Sequence, residues 1–284
     1  MRLTLLSILL LHEASALVAT TLAKPSAASS FAPPESSIVV GAGPAGLATA
    51  IMLSKRGWQN VQVFDRLPAP PSLDDEVWSD TARFYLIGIG GRGREALKAI
   101  GSWDAIEPYT APVRGRKDWS PGAGIDGGVE TIRADRPPTN VIQRDRLVAC
   151  LLAEARSLGV VVKHEMDVTG VRWEGDTAVL SLSPCGEECA AEEAEAAGAG
   201  AEAARTEEVA APFVVASDGA RRTVAVAMEA EDAARRWAPP WDKFRIVKYE
   251  DTSVRVYKTV PFRPPADWRG DINYSARTAA ANCD

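Results

Sequence analysis

Histidine is nearly missing from this chain. There are two in 284 residues, His12 and His164. Nucleophile–histidine–acid triads and histidine-based metal catalysis both depend on that ring, so neither offers a basis for the chemistry here. Cysteine is also sparse, with Cys150, Cys185, Cys189 and Cys283. The Cys185-Gly-Glu-Glu-Cys189 spacing suits a small disulfide or half of a metal site. No second pair or histidine cluster joins it, which speaks against a metal. Excess positive charge is absent too. The net charge is −6, and the whole chain gives no electrostatic case for nucleic acid. The apolar run from Leu3 to Leu11 is too short to span a bilayer. What remains is a globular composition, 46% hydrophobic and 25% charged, long enough for one or two domains.

The first residues read as targeting rather than fold. Arg2 precedes the apolar run, and Ala14-Ser15-Ala16 supplies small residues suited to signal cleavage. From Leu17 to Pro34 there is no acid, one lysine (Lys24), and much Ala, Ser and Thr, the composition of a transit peptide. Ala28-Ser29-Ser30-Phe31-Ala32-Pro33 resembles the cleavage motif of plastid precursors in algae with secondary plastids. The expectation is a signal plus transit segment over residues 1–35, with delivery to a plastid. Secretion or an endomembrane lumen, with cleavage after Ala16, is the alternative.

The fold begins at Ser37-Ile38-Val39-Val40-Gly41-Ala42-Gly43-Pro44-Ala45-Gly46-Leu47. An apolar strand enters a Gly-x-Gly-x-x-Gly turn, and a helical pattern follows through Leu53. Gly41 permits the tight turn, Gly43 lets the backbone approach a pyrophosphate, and Gly46 lets helix and strand pack closely. The helix start favours phosphate charge. A second strand, Val61 to Phe64, ends on Asp65. That acid lies about 20 residues past the glycines, where a carboxylate accepts ribose hydroxyls. Strand before, helix after and acid beyond are the context that makes the glycine pattern informative.

Further along, Leu67 to Asp80 reads as a Pro-rich acidic surface loop. Arg83 to Ile89 is extended, and Gly91 to Ile100 is a helix stopped by Gly101. Arg144 to Leu158 is an amphipathic helix followed by a strand at Val160. Val168 to Trp173 and Thr177 to Leu182 form a hairpin around Glu174-Gly175-Asp176. Residues 187–210 are nearly all Ala, Glu and Gly and read as a loose insertion that buries little. Val209 to Ser217 is one strand, ending in Asp218-Gly219. Phe244 to Tyr249 and Ser253 to Val260 read as two sheet strands, and Phe262 to Asp284 shows no regular pattern. His164, on an expected strand, reads as a surface or core residue.

Four blocks together resemble the class A FAD-dependent aromatic monooxygenases, and within them the kynurenine 3-monooxygenase group. They are the glycine turn with Asp65; Arg83 followed by Arg92-Gly93-Arg94-Glu95-Ala96-Leu97; Gln143-Arg144-Asp145-Arg146-Leu147; and Asp218-Gly219. The resemblance implies an α/β fold: a Rossmann-like FAD-binding domain over 36–230, with a substrate-contact segment near 110–140 and an insertion at 186–210. It also implies the start of a β-sheet substrate domain over 240–284. Gly41, Gly43, Ala45, Gly46, Asp65, Arg83, Arg144, Asp218 and Gly219 would bind FAD. Arg116, in Pro112-Val113-Arg114-Gly115-Arg116, would bind a substrate carboxylate through its planar fork; a solvated basic strand is the plainer reading of the same residues. The implied reaction takes NADPH and oxygen and hydroxylates a small aromatic acid through a flavin C4a-hydroperoxide. It needs no catalytic side chain of its own and no metal.

The chain departs from the family pattern in several places. The family usually has Glu at Asp65, Ser at Arg222 and Arg at Ala225. The tyrosine that partners the substrate arginine has no clear match between Asp118 and Asn140. A later Gly-Asp-Ala-Ala-His motif is not present, which reads as a C-terminally truncated chain. Two other readings stay open: a flavin-dependent epoxidase or reductase of a plastid isoprenoid, and a non-catalytic remnant of the FAD fold.

Overall fold

The computed structural model describes residues 33–80, 85–185, 206–235, 239–249 and 263–276. The expected targeting segment up to residue 32, Arg83, Cys189, most of the Ala/Glu-rich stretch and the expected strand at 253–260 lie outside the described residues. No described helix is long and apolar enough to cross a membrane.

The chain opens with β1 (Ser37–Val40), α1 (Pro44–Lys55) and β2 (Val61–Phe64). Then come β3 (Leu86–Ile89), α2 (Gly91–Ala99), α3 (Trp103–Ile106), β4 (Ala111–Val113), β5 (Gly115–Trp119), β6 (Val129–Ile132) and β7 (Thr139–Gln143). Next are α4 (Arg144–Ser157), β8 (Val161–Lys163), β9 (Met166–Glu174), β10 (Thr177–Pro184), β11 (Glu207–Ala211) and β12 (Val214–Ala216), followed by α5 (Thr223–Ala234) and β13 (Ile272–Ala276).

The centre is a parallel sheet in the order β12-β1-β2-β8. All four residues of β1 are buried, as expected for a strand covered on both faces. Its alternation sorts side chains into two cores. Val39, with Val61 and Val63 of β2, packs against Leu47 and Ile51 of α1 and Leu147 and Leu151 of α4. Ile38 and Val40 turn the other way, toward Leu180 and Leu182 of β10 and Val224 of α5. Helices α1 and α4 thus cover one face, and the antiparallel sheet β11-β10-β9 with Val224 of α5 covers the other. Lys55 ties α1 to its neighbours, pairing with Glu154 of α4 at 2.6 Å and donating to the Ile100 carbonyl after α2.

Several expectations need correction. The run Val209 to Ser217 is not one strand. It splits into β11, antiparallel to β10, and β12, parallel to β1. Pro212 falls at the break, where it has no N–H for a ladder, and Phe213 packs edge-on against Trp58 with ring centroids 4.6 Å apart. The expected loose insertion is therefore ordered from Glu207, where Val209 joins the core and Glu208 meets Arg172 at 2.6 Å. The loop at 67–80 does lie on the surface, as expected, and is pinned there: Trp78 is buried and its indole N–H donates to the Ser72 carbonyl at 2.7 Å. Phe244–Tyr249 is not a strand. Its Phe244 and Ile246 N–H groups donate to Asp232 and Glu229 of α5, at 2.8 and 2.9 Å, in place of a strand partner. Order also occurs where no pattern was read. Ile272–Ala276 forms β13, parallel to β5 in the sheet β13-β5-β6, and Thr223–Ala234 forms α5.

Cys185 is buried and disulfide-bonded, and no metal-binding group of acids, histidines and cysteines occurs among the described residues. Cys150 is a free thiol inside α4, and burial pushes its pKa up to about 11 from 9.0, opposed by the Arg146 charge. Because the folded value is the higher one, the stabilisation is complete below about pH 9 and is lost as the pH rises toward 11. Peptide mapping after iodoacetamide treatment at pH 8 should find Cys150 unmodified in the folded chain and modified in urea. Fast labelling of the native chain would contradict this burial.

Candidate functional site

The carboxyl ends of β1, β2 and β12 meet at a cavity of about 420 Å³. Gly41, Gly43, Asp65, Arg144, Asp218 and Gly219 line it, so six residues from four separate segments converge. The three loop glycines do two different jobs. Gly41 has φ +102°, and a Cβ there would sit 2.3 Å from the Ser217 carbonyl oxygen on the neighbouring strand end. A Cβ on Gly46 would fall 1.9 Å from the Gly41 carbonyl oxygen. Both positions therefore need glycine to close the turn. Gly43 differs. A Cβ there meets only Arg144 Nη2, at 4.0 Å, so its side faces open space toward the cavity. It caps α1 in extended conformation with no side-chain hydrogen bond, and Pro44 follows at the first helical position.

Asp65 is held in place by the loop it serves. The Ala42 N–H donates to Oδ2 at 2.6 Å and the Leu67 N–H donates to Oδ1 at 2.8 Å. Each oxygen keeps lone-pair capacity for a further donor. Arg144 follows β7 directly. Its backbone N–H donates to the Tyr85 carbonyl at 2.8 Å and its guanidinium meets Asp145 at 2.9 Å. Asp218 turns toward α5, where the Val224 N–H donates to its Oδ2 at 3.3 Å. The carboxylate thus caps a helix entered through Arg222, which is left-handed at φ 55°.

Among the cavity residues that sequence reasoning missed are Asp167 and Arg221, which pair at 2.8 Å and join β9 to the start of α5. Asp167 falls just before the expected strand at Val168 and Arg221 just after the Asp218-Gly219 block, and neither position carries a signal of its own. Ala45 is not in this cavity. It lines another, of about 790 Å³, with Gly88 to Gly93 and Leu147 and Leu151 of α4. Arg83 lies outside the described residues. Arg116 is in neither cavity. It lines a separate cleft of about 310 Å³ and pairs with Asp118 at 2.7 Å. His164 sits beside the site, with Nδ1 3.3 Å from the Leu67 carbonyl. Burial lowers its pKa, opposed by the nearby Asp65 carboxylate.

The residues present fit a dinucleotide. One glycine is open where a pyrophosphate needs backbone access, two are closed where the turn needs them, and an anchored carboxylate stands at the end of β2. Together with the parallel sheet, these features define a dinucleotide-binding α/β protein. The chain belongs to the FAD-binding class A flavin monooxygenase family, and the family's FAD binding domain matches residues 36–258. It is 32% identical over 192 residues to a kynurenine 3-monooxygenase of Salinispora tropica, which covers 68% of this chain and 38% of that protein. It is 32% identical over 145 residues to the kynurenine 3-monooxygenase of Salinispora arenicola, covering 51% and 29%. Among solved structures it is similar in fold to the flavin-dependent monooxygenase PieE, solved with FAD and substrate. The TM-score is 0.50 at 18% identity, over 69% of this chain and 32% of that one. The chain thus spans less than two fifths of the length of either Salinispora protein.

Proposed function

We propose that this chain forms the cofactor-binding part of an NADPH-using, FAD-dependent monooxygenase that hydroxylates a small aromatic acid of the kynurenine type. The observation that carries the reading is the convergence of Gly41, Gly43, Asp65, Arg144 and Asp218 on one cavity at the strand ends. When bound, FAD supplies the redox chemistry, taking electrons from NADPH and passing one oxygen atom of O2 to the substrate. The chain's own residues supply placement. The backbone at Gly43 admits the pyrophosphate, the Asp65 carboxylate accepts from ribose hydroxyls, and the Arg144 guanidinium answers phosphate charge. Arg116 orients the substrate by its carboxylate, and its neighbour Asp118 fixes the guanidinium plane. No histidine or acidic nucleophile is required, in keeping with a chain that has two histidines.

The test is FAD titration by fluorescence quenching, followed by NADPH oxidation with and without kynurenine. The expected result is saturable FAD binding, with oxidation stimulated by the aromatic acid. Arg116→Ala should raise the concentration of kynurenine needed by about tenfold or more, the loss of a charge-assisted bidentate contact, while leaving FAD binding unchanged. No FAD binding at micromolar concentrations would refute the reading. Stimulation by a neutral isoprenoid in place of the acid would move it to a different substrate.

A further inference from the structure

The cleft that holds Arg116 holds three more arginines. Arg114, Arg116, Arg133 and Arg136 line the same space of about 310 Å³, and no carboxylate lines it. Two strands bring them together. Strands β5 and β6 are antiparallel, with Gly115 opposite Ile132 and Arg116 opposite Thr131. Just beyond the paired residues, the Arg133 N–H donates to the Arg114 carbonyl at 3.1 Å. Two arginines therefore stand across from each other at the end of one ladder, where like charges oppose pairing.

Local acids do not cancel this charge. Asp118 serves Arg116 at 2.7 Å, and Asp135 reaches Arg136 only at 3.9 Å. Asp271, which also feels Arg114, is held by both Nε and Nη2 of Arg269, each at 2.9 Å. Among the described residues, no ion pair engages Arg114 or Arg133. The rest of the lining includes hydroxyl and amide groups from Thr131, Thr139 and Asn273. Strand β7 runs from Thr139, in this cleft, to Gln143, immediately before Arg144 of the cofactor cavity. That places the two about 16 Å apart along the strand.

We propose that this cleft binds a small molecule with two carboxylates, one at Arg116 and the second between Arg114 and Arg133. The proposal rests on the reading of Arg116 as a carboxylate clamp and adds a second subsite beside it; kynurenine, with one carboxylate, would engage Arg116 alone. Spacing favours two groups over one phosphate. Positions 114 and 116 are two residues apart on extended chain, roughly 6.7 Å along the backbone, a span that matches two carboxylates on one ring. The planar guanidinium forks suit carboxylates at both places.

Calorimetric titration of the full chain with benzoate, isophthalate and inorganic phosphate, at constant ionic strength, decides this. It needs neither FAD nor NADPH, so it fails independently of the monooxygenase reading. Isophthalate should bind at least about tenfold more tightly than benzoate, the gain of a second charge-assisted contact. Arg114→Ala and Arg133→Ala should each remove that preference and leave benzoate affinity unchanged. Arg116→Ala should weaken both ligands, and the lysine variants at 114 and 133 should restore part of the preference. Circular dichroism checks that each exposed substitution leaves the fold intact. Equal affinity for benzoate and isophthalate, tighter binding of phosphate than of isophthalate, or a preference that survives Arg114→Ala and Arg133→Ala would each overturn the proposal. Unchanged benzoate affinity in Arg116→Ala would overturn the clamp itself.

Discussion

Gly46→Ala should lower the unfolding free energy of the chain by about 2–4 kcal/mol and abolish FAD binding, whereas Gly43→Ala should fold almost normally and lose FAD alone. Helix propensity argues the opposite for Gly46, since alanine is favoured over glycine inside a helix by about 1 kcal/mol. Contact decides the sign. The added Cβ would lie 1.9 Å from the Gly41 carbonyl oxygen, and that atom is backbone, so relief means moving α1 away from β1. Leu47, Ala50 and Ile51 of the same helix are fully buried against the sheet and would move with it. At Gly43 the φ of −69° suits any residue, and the nearest atom is an arginine tip 4.0 Å away. The stability cost there is that of a weaker cap, about 1 kcal/mol or less. The methyl group would still stand where the pyrophosphate needs bare backbone, and FAD affinity should drop at least about tenfold. Urea denaturation and FAD titration of the two variants check the contrast. A Gly46→Ala chain as stable as the wild type would remove the steric basis of the argument, and a Gly43→Ala chain with full FAD affinity would remove the pyrophosphate from that position.

The features legible in the sequence are those whose cause is local. The turn between β1 and α1, the acid after β2 and the hairpin of β9 and β10 are each written within a few consecutive residues. The rest depends on partners far along the chain. Strand β13 has no strong alternation of its own and becomes a strand because β5 offers it a parallel edge. Helix α5 starts at a left-handed Arg222 and is capped by Asp218, a carboxylate outside the usual capping position. Residues 244–249 carry a strand-like pattern, yet Val247 and Tyr249 are exposed and their neighbours' N–H groups go to acids of α5. At the site, the glycines and Asp65 were readable because their spacing is fixed by backbone geometry. The arginine cleft was readable only at Arg114 and Arg116. Arg133 and Arg136 follow β6, and the pairing register brings Arg133 opposite Arg114.

Asp65 is the second position with a large expected effect, because one carboxylate does two jobs there. As a strut it accepts from Ala42 at 2.6 Å and Leu67 at 2.8 Å, fixing the glycine loop against the end of β2. Asp65→Ala should cost about 2–3 kcal/mol of stability, since the partly buried Ala42 N–H loses a charged acceptor. As a ligand it would accept from the ribose of the adenosine half. The two jobs separate by choice of flavin. FAD carries that ribose and FMN does not, so loss of the ligand contact should weaken FAD selectively. Asp65→Asn keeps one acceptor oxygen and about half of the strut, yet a neutral amide is a poorer acceptor and presents a donor toward one partner. Its FAD affinity should fall about tenfold or more, with FMN affinity nearly unchanged. Parallel losses for both flavins would mean that Asp65 acts only by shaping the loop, and the ribose contact would have to be assigned elsewhere in the cavity.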